Sequence, residues 1–425
     1  MAPAAMPENL IAPALPAFAA AAAEEAYPGR LRRCVEAAVK GFAIGSGLKG
    51  GLALLSALLR LRALLSRRST SAAAADADAV WRAVKETVRH GLFLGAFAGS
   101  YVSVDEGIAA VWGHKRTARW RSSLAGLIAG PTMLLTGTHH TSLATYILVR
   151  AGVLIARCGI KSRRFAKICK PLTWSHGDIF LMCVSSAQIA SAYILYRDSF
   201  SSSYKAFLSK QIGKDPVVLE GLKELVNSDA LSNIAGIEKY YKSVGVELKL
   251  DPKLKVPCSI LHVYVPVYII PALFRPKHLV KSPCSQFGKT LLGIARSSLF
   301  LSVYCASEWG WTCLLFRAFQ SCNIPLLVLG TFPTGLALLI EKKSRRMEIS
   351  LYCLARAIES FSTCMADAGL CPSILRVKRV DVVVFSVAAS IIMHCYAQER
   401  AVFRSKYLDV LDWVFGVPAP YVDER

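Results

Sequence analysis

Two arginines, Arg150 and Arg356, are the residues best placed to do chemistry in this chain. Each sits inside a mostly apolar stretch, and each closes the same short pattern. Tyr146, Leu148, Arg150 and Ala151 recur as Tyr352, Leu354, Arg356 and Ala357. An arginine at mid-membrane costs about 2.5–3.5 kcal/mol on insertion scales and faces a cavity or an acid. Two readings are open. The pair lines a path or a binding site for an anionic group, or each guanidinium is neutralised by a carboxylate, with Asp105, Glu106, Glu308 and Glu359 as candidates. Arg150, Arg356, Asp105, Glu106 and Glu308 are therefore the candidate intramembrane site.

Other groups invite blander readings. Asp178 and Asp381 match one another and both stand where an apolar span begins, a place where a carboxylate satisfies free helix N–H groups; proton coupling is the alternative. Cys258 and His262, four apart, put two metal-ligand types on one helix face, but a zinc site needs four ligands and no second pair is near. His139 and His140 read as interfacial polarity, and Trp309 and Trp311 as packing or anchoring residues. No nucleophile–base–acid set, phosphate loop or HExxH motif is present, so the chain is expected not to be an enzyme and to carry no cofactor and no metal.

The elements that position these residues repeat once. Leu92-Phe93-Leu94 returns as Leu299-Phe300-Leu301, Pro131 as Pro333, Cys158 as Cys364, and Asp178, Tyr193 and Arg197 as Asp381, Tyr396 and Arg400. A period of roughly 200 residues is a duplicated half-protein, since solenoid units are far shorter. The expected fold is all-α: a polytopic membrane protein of about 9–10 segments in two homologous halves. The first half, 34–197, holds apolar segments near 35–65, 91–112, 122–135, 141–157 and 178–196, with a Ser/Ala/Asp linker at 69–78. Gly91, Gly95 and Gly99 share one helix face, and Gly126 and Gly130 another; in lipid, such small residues let helix backbones approach closely. Residues 198–257, rich in Lys, Glu, Asp and Ser, read as a solvent-exposed insert of one or two amphipathic helices. The second half, 258–403, opens with Pro257, Pro266, Pro271 and Pro276, which suit a broken or re-entrant span over 258–274. Later spans are expected at 291–316, 324–340, 349–366 and 380–397, then a tail, 404–425, with an amphipathic stretch at 407–415. The Ala- and Pro-rich residues 1–33 read as a disordered tail.

Composition agrees with this plan. Of 425 residues, 54% are hydrophobic and 19% charged, with a mean hydropathy of +0.40. Soluble domains carry about 25% charged residues, so this apolar excess must face something other than water. The net charge of +22 sits in short Lys/Arg runs between apolar segments. That pattern sets membrane topology and attracts anionic lipid head groups; it excludes nucleic acid as a partner. Thirteen cysteines, an odd number with several in apolar stretches, do not form a disulfide framework.

Within the second half, Pro257-Cys258, His262 and Val267-Tyr268-Ile269-Ile270-Pro271-Ala272-Leu273 resemble the cysteine-rich region of the transmembrane protein 135 family. Ala295-Arg296-Ser297-Ser298-Leu299-Phe300-Leu301 and Ile340-Glu341-Lys342-Lys343-Ser344-Arg345-Arg346 resemble the spans beyond it. The likeness is best over 255–365. The glycine-rich spans of the first half are similar to the mitochondrial preprotein translocase superfamily and its peroxisomal relatives. These resemblances imply an integral membrane protein of the mitochondrion or peroxisome, concerned with lipid handling and organelle dynamics, and bring no catalytic residues. Three functions are the expectations. The first is a carrier of lipid-related or anionic metabolites. The second is a preprotein-translocase-like component with translocase partners. The third is a non-transporting scaffold that sets organelle shape. The partners expected are membrane lipids, an anionic or lipid-like substrate, and a second copy of the chain or translocase subunits.

Overall fold

The computed structural model describes residues 29–51, 72–137, 140–162, 174–212, 215–228, 232–243, 285–370 and 379–418. Residues 1–28, His139, the basic run 163–170 and the proline-punctuated segment 258–274 with Cys258 and His262 lie outside the described residues. Every regular element among those described is helical. Four helices among them are long and apolar enough to cross a membrane: Thr141–Lys161, Gly177–Leu195, Ala295–Phe319 and Val380–Gln398. The apolar helix Ile324–Ile340 is shorter. The expected spans 91–112 and 349–366 are helical but lie in longer helices that carry charges, Asp105 and Glu106 in one, Arg356 and Glu359 in the other, and fall outside those four.

The chain forms two compact units, each gathered from distant segments. The first comprises Met1–His140, Ala151–Lys161 and Arg379–Arg425; the second comprises Thr141–Arg150 and Ser162–Lys378. In the first unit, α1 (29–51) lies against α2 (Ala72–Trp112). A Cβ added at Gly91 would stand 2.8 Å from the Phe42 ring, at Gly95 2.9 Å from the Ala38 carbonyl oxygen, and at Gly99 3.1 Å from Ala38 Cβ. Small residues on the shared face bring the two backbones into close van der Waals contact. Helix α2 starts at Ala72, inside the expected linker, because the alanines there are the strongest helix formers.

Beyond the short α3 (His114–Thr117), α4 (Arg121–Ala129) runs into a 3-10 helix at Gly130–Thr136. Pro131 has no N–H to give and its ring crowds the carbonyl four residues back, so the coil tightens there. Helix α5 (Thr141–Lys161) comes next. The other wall of the unit comes from much later in the chain. Helix α13 (Val380–Gln398) packs on α4 and its 3-10 extension, where a Cβ at Gly126 would meet the Ala389 carbonyl at 3.0 Å and one at Gly130 would overlap Ser386. Phe93 and Phe97 of α2 pack edge-on against Phe385, at ring separations of 5.4 and 5.7 Å. The terminal helix α14 (Ser405–Phe415) adds Val414 to a core of Ala37, Ala98, Tyr101, Ala125, Ala129, Met393 and Tyr396.

The second unit also holds an α-helix that runs into a 3-10 helix. Helix α10 (Ser285–Phe319) packs on α11 (Ile324–Thr331) and on the 3-10 helix Phe332–Ile340, which again begins with a proline, Pro333. Asn323 caps α11, its side chain accepting from Leu326 N at 3.0 Å. The wall here is α6 (Gly177–Leu195), an earlier helix, packed on α11, on that 3-10 helix and on α12 (Lys343–Asp367). Ser350 Oγ donates to the Asp178 carbonyl at 2.7 Å, and Tyr304 OH to Ser186 Oγ at 3.1 Å. The expected exposed insert is three described helices: α7 (Ser202–Ile212), α8 (Pro216–Ser228) and α9 (Ile234–Ser243). Their apolar faces are buried. Leu208, Leu219, Leu222, Leu225, Ile237 and Tyr241 share one core cluster with Tyr193, Trp309, Phe316 and Leu327.

The two wall helices, with the short elements on their C-terminal sides, correspond residue for residue. Gly177–Leu195, Arg197–Ser199 and Ser202–Ile212 in one unit have counterparts at Val380–Gln398, Arg400–Val402 and Ser405–Phe415 in the other, each helix of equal length. The side chains agree as well. Tyr193 OH lies 2.9 Å from Ser209 Oγ and Tyr396 OH donates to Asp412 Oδ1 at 2.8 Å. Arg197 Nη2 donates to Ser209 at 3.2 Å and Arg400 Nη2 to Asp412 Oδ2 at 2.7 Å. Each guanidinium lies over the tyrosine four residues before it, at 5.3 and 5.2 Å.

Candidate functional site

A cavity of about 860 Å³ in the first unit opens where α2 ends and α4 begins. Helix α1 contributes Arg33, Glu36 and Lys40, the last turns of α2 contribute Tyr101, Asp105 and Glu106, and α3 contributes His114 and Lys115. Arg121 and Ser122 come from the start of α4, and Tyr396, Gln398 and Phe415 from the α13 end and α14. Four basic side chains, Arg33, Lys40, Lys115 and Arg121, thus face three carboxylates, Glu36, Asp105 and Glu106.

Most of these charges are paired. Arg121 Nε donates to Asp105 Oδ1 at 2.7 Å, with both side chains mostly buried, and Ser122 Oγ approaches the same oxygen at 3.4 Å. Arg33 meets Glu106 at 2.9 Å and Lys40 meets Glu36 at 2.7 Å. Lys40 also lies over the Trp413 ring at 5.6 Å. One cation, Lys115, exceeds this balance, and the paired Arg121 keeps one donor unmade. Arg121 Nη1 is buried without a hydrogen-bond partner, and Lys115 stands exposed on the rim, beside His114. A buried donor left unmade costs about 1–3 kcal/mol, so an anion reaching Arg121 Nη1 recovers that cost. Apolar walls from Val102, Val414 and Phe415 complete the cavity, which suits an amphiphile better than a small hydrated ion.

The expected arginine pair belongs to the second unit. Ser142, Tyr146 and Arg150 lie at four-residue spacing on one face of α5, and that face meets α12. Arg150 Nη2 pairs with Glu348 Oε2, and its Nε donates to Tyr146 OH at 3.0 Å. Arg356 Nη1 pairs with Glu359 at 3.0 Å and donates to Ser142 Oγ. The guanidiniums cover their own tyrosines, Arg150 over Tyr146 at 5.0 Å and Arg356 over Tyr352 at 5.2 Å. Ser142 Oγ also donates to Glu359 at 2.8 Å. Each arginine is therefore mostly buried and engaged by an acid: Glu359, which sequence spacing suggests, and Glu348, which it does not.

The remaining candidates are scattered. Asp105 and Glu106 line the first unit's cavity. Glu308 is buried in α10 of the second unit, 4% exposed, and its Oε1 has no hydrogen-bond partner. Asp178 Oδ1 accepts from Ile179 N at 2.9 Å at the start of α6. Asp381 accepts from Arg379 Nε at 3.1 Å and from His140 N at 3.2 Å. Among the described residues no group of three or more His, Cys, Asp or Glu side chains is placed to hold a metal ion.

Sequence reasoning passed over Arg121 as one of several cations in a basic loop. It also passed over Ser209 and Asp412, although the repeat spacing that joins Arg197 to Arg400 joins these two as well. No family model matches the chain, and no curated protein and no solved structure is found to be similar to it.

Proposed function

We propose that this is an integral membrane protein of the mitochondrion or peroxisome that binds and moves an anionic, lipid-related metabolite. The membrane assignment is supported by the four long apolar helices. The organelle is drawn from the resemblance over 255–365 to the transmembrane protein 135 family. The observation that carries the substrate class is the cavity of the first unit, where cationic groups outnumber carboxylates and apolar walls stand beside them. We also read the molecule as the product of one duplication whose halves exchange their last long helix, since α13 packs on α4 of the first half and α6 packs on α11 and α12 of the second. That reading accounts for the matching clasps at Tyr193 and Tyr396.

Reconstitution tests the function. Vesicles carrying the full-length protein should bind and take up long-chain acyl anions, and charge reversal at the exposed Lys115 (Lys115→Glu) should weaken binding about tenfold, or about 1.4 kcal/mol. A second reading, a scaffold without transport, is favoured by the ion pairs of Arg150 and Arg356, because paired guanidiniums stabilise helix contacts without needing a ligand. Folded wild-type protein that neither binds nor moves acyl anions decides for the scaffold.

A further inference from the structure

We propose that Cys158 and Cys395 are a redox modification site, joined by peroxide into a disulfide that staples α5 to α13 in the first unit. The two sulphurs lie 3.9 Å apart, on the last turns of the two helices. Three further contacts hold those turns side by side. Arg157 Nη1 donates to the Val402 carbonyl at 2.7 Å, Lys161 approaches Glu399 at 3.9 Å, and Leu154, Ile391, Ile392 and Phe403 pack around the thiols. A disulfide needs its sulphurs about 2.05 Å apart, so oxidation draws the two side chains together across the remaining gap.

The site is chemically ordered. Cys158 is partly exposed whereas Cys395 is 5% exposed, so peroxide reaches Cys158 first. The Cys158 sulphur attacks one peroxide oxygen and the O–O bond breaks, giving a sulfenic acid and one water. The Cys395 sulphur then displaces the sulfenic hydroxyl, forming the S–S bond and releasing a second water. Two thiols lose two electrons and one hydrogen peroxide gains them. The site is also particular to this unit. The position matching Cys158 is Cys364, but the position matching Cys395 is Ala192, so the second unit has no partner thiol at the equivalent place. Tyr396, the residue after Cys395, walls the cavity, so oxidation fixes one side of it.

Peptide mapping decides the matter. Purified full-length protein is treated with hydrogen peroxide, its remaining thiols are alkylated, and the digest is compared with and without prior reduction. A linked Cys158–Cys395 peptide should appear, both residues should vanish from the alkylated pool, and a thiol reductant should restore them. In Cys158→Ser the link should be absent and Cys395 should stay alkylated. Wild-type protein in which both residues remain alkylated after oxidation overturns the proposal without recourse to any variant. A Cys158 that passes to sulfinic acid while Cys395 stays free overturns it equally.

Discussion

At the scale of single residues, the clasp at the end of α13 makes a pH prediction. The Arg400 guanidinium, donating to Asp412 Oδ2, holds the Asp412 carboxyl below the usual carboxylate range. A group depressed in this way contributes its stability in full above its unfolded value, about 3.9 for aspartate, and loses it as pH falls through the lower folded value. Amide exchange in α14 should therefore stay slow at about pH 5 to 7 and quicken below about pH 4, relative to Asp412→Asn at the same pH. The variant should exchange faster at neutral pH and lack the acid step. The Ser209 clasp, with no carboxylate, should show no such step. The pairing of Arg150 was only half legible in the sequence. An intramembrane arginine announces that it needs an acid, yet Glu348 lies 198 residues away, and only the fold chooses it over Asp105 or Glu106. Asp105 instead satisfies Arg121, a neighbour along the chain that its basic loop disguised.

At the scale of elements, glycine spacing carried much of the information. The four-residue ladder Gly91, Gly95, Gly99 names a helix face, though not the partner, which is α1 through Ala38 and Phe42. Two glycines of α2 give a controlled contrast. A Cβ at Gly95 would press on the Ala38 carbonyl, a backbone atom that cannot swing aside, whereas one at Gly107 meets nothing within 4 Å. Gly95→Ala should cost roughly 1–3 kcal/mol, and Gly107→Ala should gain roughly 0.5–1 kcal/mol by restricting the unfolded chain; thermal melts of the two variants check both signs. Pro131 and Pro333, matched in the sequence, stand where α-helix tightens to 3-10, which their spacing did not foretell. The leucines of the insert repeat at helical spacing. Spacing reveals an apolar face, but not whether water or the α6 and α10 core covers it.

For the whole molecule, the sequence offers scattered matched identities up to Arg197 and Arg400. The equal lengths of α7 and α14 were hidden by their unlike sequences. The packing of α6 and α13 on helices from distant parts of the chain could not be read at all, because contacts between segments so far apart leave no periodic trace. It has a direct test. Residues 1–257 expressed alone should lack the helix that walls the first unit and be degraded or aggregate, and co-expression with 258–425 should restore a folded, co-purifying complex. A stable, folded 1–257 fragment would contradict the exchanged arrangement.

The same arrangement sets a clock for synthesis. Helix α6 emerges from the ribosome well before α10, α11 and α12, the helices it packs on. Between the start of α6 and the end of α12 lie roughly 190 residues, or roughly 10–40 s at ~5–20 residues per second. For that interval the serine- and alanine-lined face of α6 has no permanent neighbour. The newborn chain must shelter it in lipid or beside a chaperone until the later helices arrive, so a message truncated anywhere before α12 leaves behind an unfinished protein rather than a working half.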